Sequence, residues 1–348
     1  AFRGWVILAT SGCIEGRCPW ERKNYMAQDL TDLETLIEYR KSRYRILVCV
    51  DGSDESYRGL QYAARLGAAP DADIVLLYVR PIDQGMRTGG LQVRVARENM
   101  LNWGLELPGI QYLKKGRDML VGTEELASQW EIHSAHTDVV GDPLGDNKIE
   151  YTNNQGKSIV LKLKTASSVA VGILDQYELG PYNLIILGAS GRAGGFAKNL
   201  WDPAIAEKVA IHAPCSVCVA RELETGHGML LCTDGSDQAM EMINKAAQMS
   251  KRVGAEVSIL SVSLDDEGEV EAQENVAKAV EFLRSLSIEP RNILIETGNP
   301  VEQIIEAAKT YTFVVIGDTG RTGLKRFFMG SVAFKVMEFA NNSVMIVR

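Results

Sequence analysis

Two loops in the C-terminal half combine residue types suited to a polyphosphate. One is Thr233-Asp234-Gly235-Ser236; the other is Gly317-Asp318-Thr319-Gly320-Arg321-Thr322-Gly323. Glycines tolerate positive φ and let backbone N–H groups come close to an anion. Nine residues after Gly320, Gly330-Ser331-Val332 opens a predicted helix, whose first N–H groups and positive dipole end would face the same anion. The Ser331 hydroxyl adds a donor, and Arg321, Lys325 and Arg326 add positive charge. Asp234 has the chemistry to accept from a ribose hydroxyl. A plainer role competes with this: Asp234, and Asp51 at the matching place earlier in the chain, would also serve as Asx-turn residues at a helix start.

These loops follow short runs of Val, Ile and Leu without alternation, which read as strands covered on both faces. Longer amphipathic segments lie between them, such as 238–253 and 270–286, with Ser236 or Asp237 as the expected cap of the first. Alternating β and α predicts a parallel sheet with helices on both faces, and ligands outside the carboxyl ends of its strands.

The pattern occurs twice. Ile46-Leu47-Val48-Cys49-Val50-Asp51-Gly52-Ser53-Asp54 matches Met229-Leu230-Leu231-Cys232-Thr233-Asp234-Gly235-Ser236-Asp237. The second strands, 72–79 and 255–262, match in the same register, and Leu187-Gly188-Ala189-Ser190-Gly191-Arg192 matches Ile316-Gly317-Asp318-Thr319-Gly320-Arg321. Ordered matches of this kind mark an internal repeat. The first copy is longer before its glycine motif. Taking Gly141-Asp142-Pro143 as the partner of Gly298-Asn299-Pro300 splits the excess into insertions at about 92–138 and 146–172. The first insertion reads as helical over 92–105 and 110–130, broken at Pro108-Gly109. The second reads as a β-hairpin, with 148–152 and 158–163 joined by Asn153-Asn154-Gln155-Gly156. The expected organisation is an extension, 1–43, with a polar helix over 29–41, a first domain, 44–222, and a second domain, 227–348.

Composition narrows the classes. The 348 residues suit two domains, and 46% hydrophobic with 24% charged residues is ordinary for a globular protein. A formal net charge of −8 gives no support to a nucleic-acid partner. No apolar run approaches the ~20 residues of a membrane span, so no membrane partner is expected and the location expected is cytoplasmic. Six cysteines do not make a disulfide scaffold. Cys215-x-x-Cys218 has redox spacing but follows into a strand rather than opening a helix, which favours packing. His133-x-x-His136 lacks further ligands nearby and reads as two solvated side chains.

The G-x2-G-x9-G-S pattern from Gly317 to Ser331, a first strand ending in Asp-Gly-Ser, the Gly-x-Pro landmark and a closing strand ending in Val347-Arg348 together resemble the universal stress protein family. The resemblance spans both copies apart from the insertions. It implies two tandem five-stranded α/β domains of adenine-nucleotide-binding, Rossmann-like type. It also implies ATP, with or without Mg²⁺, as the ligand. Asp234 and Val262 would line the adenosine site, and Ile316, Gly317, Gly320, Gly330, Ser331 and Val332 would hold ribose and phosphates. The first copy departs from the pattern: Pro203-Ala204 stands in place of Gly330-Ser331, so it lacks an N–H and a hydroxyl there. The expectation is one ATP site, in the second domain.

The sequence leaves three readings: an ATP-binding stress-response regulator; a slow ATPase or autophosphorylating switch on the same loops; or an interaction scaffold that has kept the fold without the ligand. The Gly-Lys-Ser/Thr phosphate loop, the Rossmann Gly-x-Gly-x-x-Gly and the Ser-Gly-Gly-x-Asp-Ser loop are all absent after the first strands, and no catalytic base stands out. The insertions offer surface for a protein partner. The closing strands, 216–220 and 344–347, are natural edges for pairing the two domains, and a homodimer is expected beyond that.

Overall fold

The computed structural model describes residues 35–82, 108–139, 142–189, 203–221, 228–318 and 329–348. The chain divides into a unit 1–42, of which 35–41 form a helix, and a compact unit from Arg43 to Arg348. Of the polar helix expected at 29–41, the part before 35 lies outside the described residues, as does the helix expected at 92–105.

The first copy runs β1 (Tyr44–Cys49), α1 (Asp54–Leu66), β2 (Ala72–Pro81), α2 (Pro108–Leu120), α3 (Thr123–Gln129), β3 (Trp130–Val139), β4 (Asp142–Asn153), β5 (Ser158–Ala166), α4 (Val169–Leu174), β6 (Leu184–Gly188), α5 (Pro203–His212) and β7 (Ser216–Ala220). The second runs β8 (Met229–Cys232), α6 (Asp237–Val253), β9 (Val257–Ser263), α7 (Glu269–Ser285), β10 (Ile293–Thr297), α8 (Pro300–Ala308), β11 (Phe313–Gly317), α9 (Ser331–Phe339) and β12 (Ser343–Val347). All twelve described strands form one sheet, ordered β10-β9-β8-β11-β12-β7-β6-β1-β2-β5-β4-β3.

Within each copy, five parallel strands take the order third-second-first-fourth-fifth: β5-β2-β1-β6-β7 and β10-β9-β8-β11-β12. Their residues alternate between two cores. Ile46 and Val48 face one side with α1, α2, α6 and α7. Leu47 and Cys49 face the other with α4, α5, α8 and α9. Strands covered on both faces explain the continuous apolar runs.

The order of strands corrects the reading of the insertions. β5 pairs in parallel with β2, as β10 does with β9, so 158–166 is the first copy's third strand rather than part of an added hairpin. The helix α2 packs on β2 and β5 as α7 packs on β9 and β10. The true additions among the described residues are α3, β3 and β4, of which β3 and β4 extend the sheet by antiparallel pairing. The helix expected at 110–130 breaks at Val121-Gly122, and Trp130 opens β3. The Asn153–Gly156 turn is present as expected, joining β4 to β5, with Gly156 at φ 77°. Gly298-Asn299-Pro300 has its counterpart in Ser167-Ser168-Val169, not in Gly141-Asp142-Pro143. Asn299 caps α8 and Ser168 caps α4, each through its side chain.

The closing strands pair antiparallel: Val344 with Val219, Met345 with Cys218, Ile346 with Val217. Cys218 and Met345 occupy the same place in their copies, so a local twofold passes between them. Arg221 N donates to Ser343 Oγ (2.9 Å) and Arg348 N to Ser216 Oγ (3.4 Å). Each guanidinium then donates to carbonyls at the C-terminal end of the other copy's last helix. Arg221 reaches Met337 and Asn342; Arg348 reaches Ala210 (2.5 Å), Ile211 (3.2 Å) and Ala213 (2.6 Å). A cation is favoured at that end of a helix dipole. Burial still weighs on Arg221, lowering its pKa to about 10.

Candidate functional site

The strand order of the second copy reverses between β8 and β11, and a cavity of about 310 Å³ opens at their carboxyl ends. Its wall is built from four loops or helix starts: Cys232-Thr233-Asp234, Ile316-Gly317-Asp318, Gly330-Ser331-Val332-Ala333, and Pro300 with Ile304; Leu260, Val262 and Ala239 complete it. Such a crevice is where open α/β sheets hold ligands.

Local chemistry fixes each loop. Asp234 Oδ1 accepts from Ser236 N (3.1 Å) and Ser236 Oγ (2.6 Å), and Ser236 Oγ accepts from Ala239 N (3.2 Å) as the N-cap of α6. This is the Asx turn that the sequence allowed, and Asp51-Ser53 repeats it in the first copy. Gly235 sits at φ 74°, with no room for a Cβ, which would lie 1.8 Å from Asn275 Oδ1. Gly235 and Ser236 therefore shape the turn, whereas Thr233 and Asp234 line the cavity. Burial pushes the Cys232 thiol up to about 12, so at neutral pH it is a protonated wall group rather than a nucleophile.

The helix α9 begins at the cavity. Gly330 caps it in an extended conformation, donates its N–H to Asp318 O (2.6 Å), and supplies no side-chain cap. The other helix starts near the cavity are capped by Ser236 and Asn299. A nine-residue helix whose first turn has no side-chain acceptor presents backbone donors to whatever fills the space in front of it. Asp318 is held from the other side, with its N–H on Val347 O (3.2 Å) and Oδ2 accepting from Arg348 Nε (3.1 Å).

Of the residues singled out from sequence, the structure brings together Thr233, Asp234, Val262, Ile316, Gly317, Gly330, Ser331 and Val332. Gly320 and Arg321 lie outside the described residues, as do Lys325 and Arg326. Pattern matching missed Cys232, Ala239, Leu260, Ile304 and Ala333 because they are ordinary apolar wall. Pro300 belongs to the Gly-x-Pro landmark and Asp318 to the glycine loop.

Among the described residues, the matching place in the first copy holds only a small space. Its cavity is about 20 Å³, lined by Cys49, Val50, Asp51, Leu77, Tyr78, Val79, Val169 and Ile173. Val50 replaces Thr233, and Ala189 replaces Asp318. Gly172 lets α4 settle on the sheet: an added Cβ would lie 2.5 Å from Val79 Cγ1 and 2.9 Å from Ala166 Cβ. Gln303 holds the corresponding position on α8.

Elsewhere the plainer readings fit. Cys215 and Cys218 belong to opposite faces of the sheet, with both thiols raised by burial, Cys215 to about 12. His133 and His136 are exposed on β3, with His136 Nδ1 3.0 Å from Asn147 Oδ1. No helix among the described residues is long and apolar enough to cross a membrane.

Fold and site define a tandem, doubly wound α/β protein with a ligand-sized crevice at a strand-order switch point. Its family follows from comparison: the model for the universal stress protein family matches residues 43–102 and 227–348, and the chain belongs to that family. It is 25% identical over 323 residues to a universal stress protein of Mycolicibacterium smegmatis, covering 88% of this chain and 98% of that relative. A universal stress protein of Methanocaldococcus jannaschii is 30% identical over 34% of this chain and 81% of its own length. The crystal structure of a universal stress protein from Archaeoglobus fulgidus shares the fold at 18% identity and a TM-score of 0.52, covering 88% of this chain and 98% of that one.

Proposed function

We propose that this chain is a stress-response regulator that binds ATP in its second copy, while the first copy has lost the site. The observation that carries the proposal is the difference between equivalent cavities, about 310 Å³ against about 20 Å³. The residues of the larger one fit an adenine nucleotide. Leu260, Val262, Ile304 and Ile316 give an apolar slot for the base, Asp234 faces the sugar, and the Ser331 hydroxyl with the first N–H groups of α9 offers donors to phosphate. Gly320 and Arg321 belong to the same proposed phosphate loop. Mg²⁺, if carried in, would neutralise the phosphates, with Asp234 and Asp318 as the carboxylates of the wall.

Calorimetric titration of ATP with Mg²⁺ into the intact protein and a Gly330→Pro, Ser331→Ala double variant tests this. The double change copies Pro203-Ala204 into the second copy. One ATP per chain is expected. Ser331→Ala removes one donor to a charged oxygen, worth ~1.5–3 kcal/mol, and Gly330→Pro removes the N–H that bonds Asp318 O at the start of α9, so binding weakens about tenfold or more. A folded intact protein that takes up no adenine nucleotide refutes the proposal. It would favour the scaffold reading, which draws on the added β3–β4 pair and its open edge, where Ile132 is 56% exposed.

A further inference from the structure

The local twofold makes the two sides of the seam between the copies directly comparable, and they are not filled alike. On one side, Tyr62 of α1 crosses to the second copy. Its hydroxyl lies 2.9 Å from Ser343 Oγ, and its ring meets Phe313 edge-on at 4.9 Å between centroids. On the other side, the equivalents of Tyr62, Phe313 and Ser343 are Lys245, Leu184 and Ser216. Smaller or more flexible groups leave a cavity of about 330 Å³, as large as the candidate nucleotide cavity and separate from it.

The lining has a definite chemistry. Lys245, Arg252 and Arg348 bring three cations, and Tyr44, Asn183, Ser216 and Gln248 bring neutral donors; no carboxylate side chain is part of it. Each cation has an acidic neighbour outside the lining: Glu241 beside Lys245 (2.8 Å), Asp71 beside Arg252 (2.6 Å), Asp318 beside Arg348 (3.1 Å). Lys245 also donates to the Arg348 carbonyl oxygen. The Glu241 and Asp71 pairs are partly solvent-exposed, so they hold their cations weakly against an incoming dianion. Tyr44 adds an independent observation. The residue lines the cavity, and its hydroxyl is buried with no hydrogen-bond partner among the described residues, a state that costs stability until something accepts from it. Arg252 lies over its ring at 4.3 Å, which holds the phenol in place.

We propose that this seam cavity is a second ligand site, taking a small organic phosphate whose oxyanion meets Lys245 and Arg252, with Arg348 adding positive charge behind them, and accepts from Tyr44. A carboxylate is served by one cation; two cations in the lining, with a third held behind them, suit a phosphate dianion. The volume exceeds what a phosphate alone fills and leaves room for a small polar carbon skeleton beside Asn183 and Gln248. This site does not depend on the nucleotide reading of the second copy.

The probes are ribose 5-phosphate and inorganic phosphate, titrated calorimetrically into the full chain, into Lys245→Tyr and into the Gly330→Pro, Ser331→Ala variant. Lys245→Tyr fills the cavity as Tyr62 fills its counterpart. Lys245→Gln, which removes the charge without adding bulk, guards against a folding defect, and circular dichroism checks both. Saturable binding of ribose 5-phosphate is expected, weakened about tenfold or more by either Lys245 change and untouched by the Gly330, Ser331 change. Equal affinity for inorganic phosphate would make free phosphate the ligand of the same site. Binding lost with Gly330 and Ser331 but kept without Lys245 overturns the proposal, as does no saturable binding of either probe at millimolar concentration.

Discussion

The two copies share a strand order, a pair of Asx turns and a closing arginine, yet one leaves a crevice of about 310 Å³ where the other leaves about 20 Å³. The sheet is common to both; the copies differ at the rim, with Thr233 against Val50, Asp318 against Ala189, Gly330-Ser331 against Pro203-Ala204, and Gln303 against Gly172. A duplicated fold keeps what its core needs and is free to lose what only a ligand needs. The first copy has also gained something, the antiparallel β4 and β3 added to its third strand.

That addition gives the largest effect by which the copies can be told apart. Lys164 of β5 and Asp146 of β4 form a buried pair at 2.7 Å, and Asp146 Oδ1 also accepts from Thr165 N at 2.7 Å. Asp146→Ala strands a buried ammonium. It is expected to cost about 3–5 kcal/mol by urea unfolding while leaving the ATP isotherm of the remaining folded protein unchanged. A cost under about 1 kcal/mol would mean that the added strands are not anchored there; a changed isotherm would mean that the copies are not independent.

The closing arginines come next. Arg221→Ala and Arg348→Ala each remove charge-assisted bonds to a helix C-terminus and are expected to cost about 2 kcal/mol. Only Arg348→Ala should also shift ATP affinity, by a few-fold, because Arg348 holds Asp318 in the cavity wall and Ala189 gives Arg221 no such partner. Equal effects of the two variants on ATP binding would break the comparison.

The sequence displayed some of this plainly and hid the rest for identifiable reasons. Asp51-Gly52-Ser53 and Asp234-Gly235-Ser236 are legible because a strand-to-helix turn needs those residue types in both copies. The pairing of the closing strands is legible because each is the last strand of its own five-stranded set and is followed by arginine. The third strand of the first copy is obscured. Its Lys162 and Lys164 alternate with Leu161 and Leu163, because β4 and β3 extend the sheet beside it and Lys164 pairs with Asp146. The Gly-x-Pro landmark misled because Gly and Pro punctuate many turns. What the two copies share at that point is a role, a side chain capping a helix, filled by Asn299 in one and Ser168 in the other. The seam cavity was invisible, since it depends on Tyr62 and Lys245 falling at the same place only after the copies are superposed.

A further variant addresses how the first copy closes. Gly172→Gln copies Gln303 onto α4, where even a Cβ would lie 2.5 Å from Val79 Cγ1. The helix must lift, at about 1–3 kcal/mol for overpacking. ATP stoichiometry should stay at one per chain, because Pro203 still lacks a donor. A second ATP bound by this variant would show that α4 alone closes the first copy.

The smallest effect separates turn from ligand contact. Ser53 and Ser236 cap α1 and α6 in the same way, accepting from Ser56 N and Ala239 N at 3.2 Å and bonding to Asp51 and Asp234. Loss of an N-cap costs about 1 kcal/mol, so Ser53→Ala and Ser236→Ala should shift the urea midpoint alike. Their effects on ATP should also be alike, close to none, because the Ser236 hydroxyl is already committed to its helix and to Asp234. If Ser236→Ala instead weakens ATP tenfold at equal stability cost, the hydroxyl leaves its cap to meet the ligand. The second copy's loop would then rearrange on binding while the first copy's identical turn stays fixed.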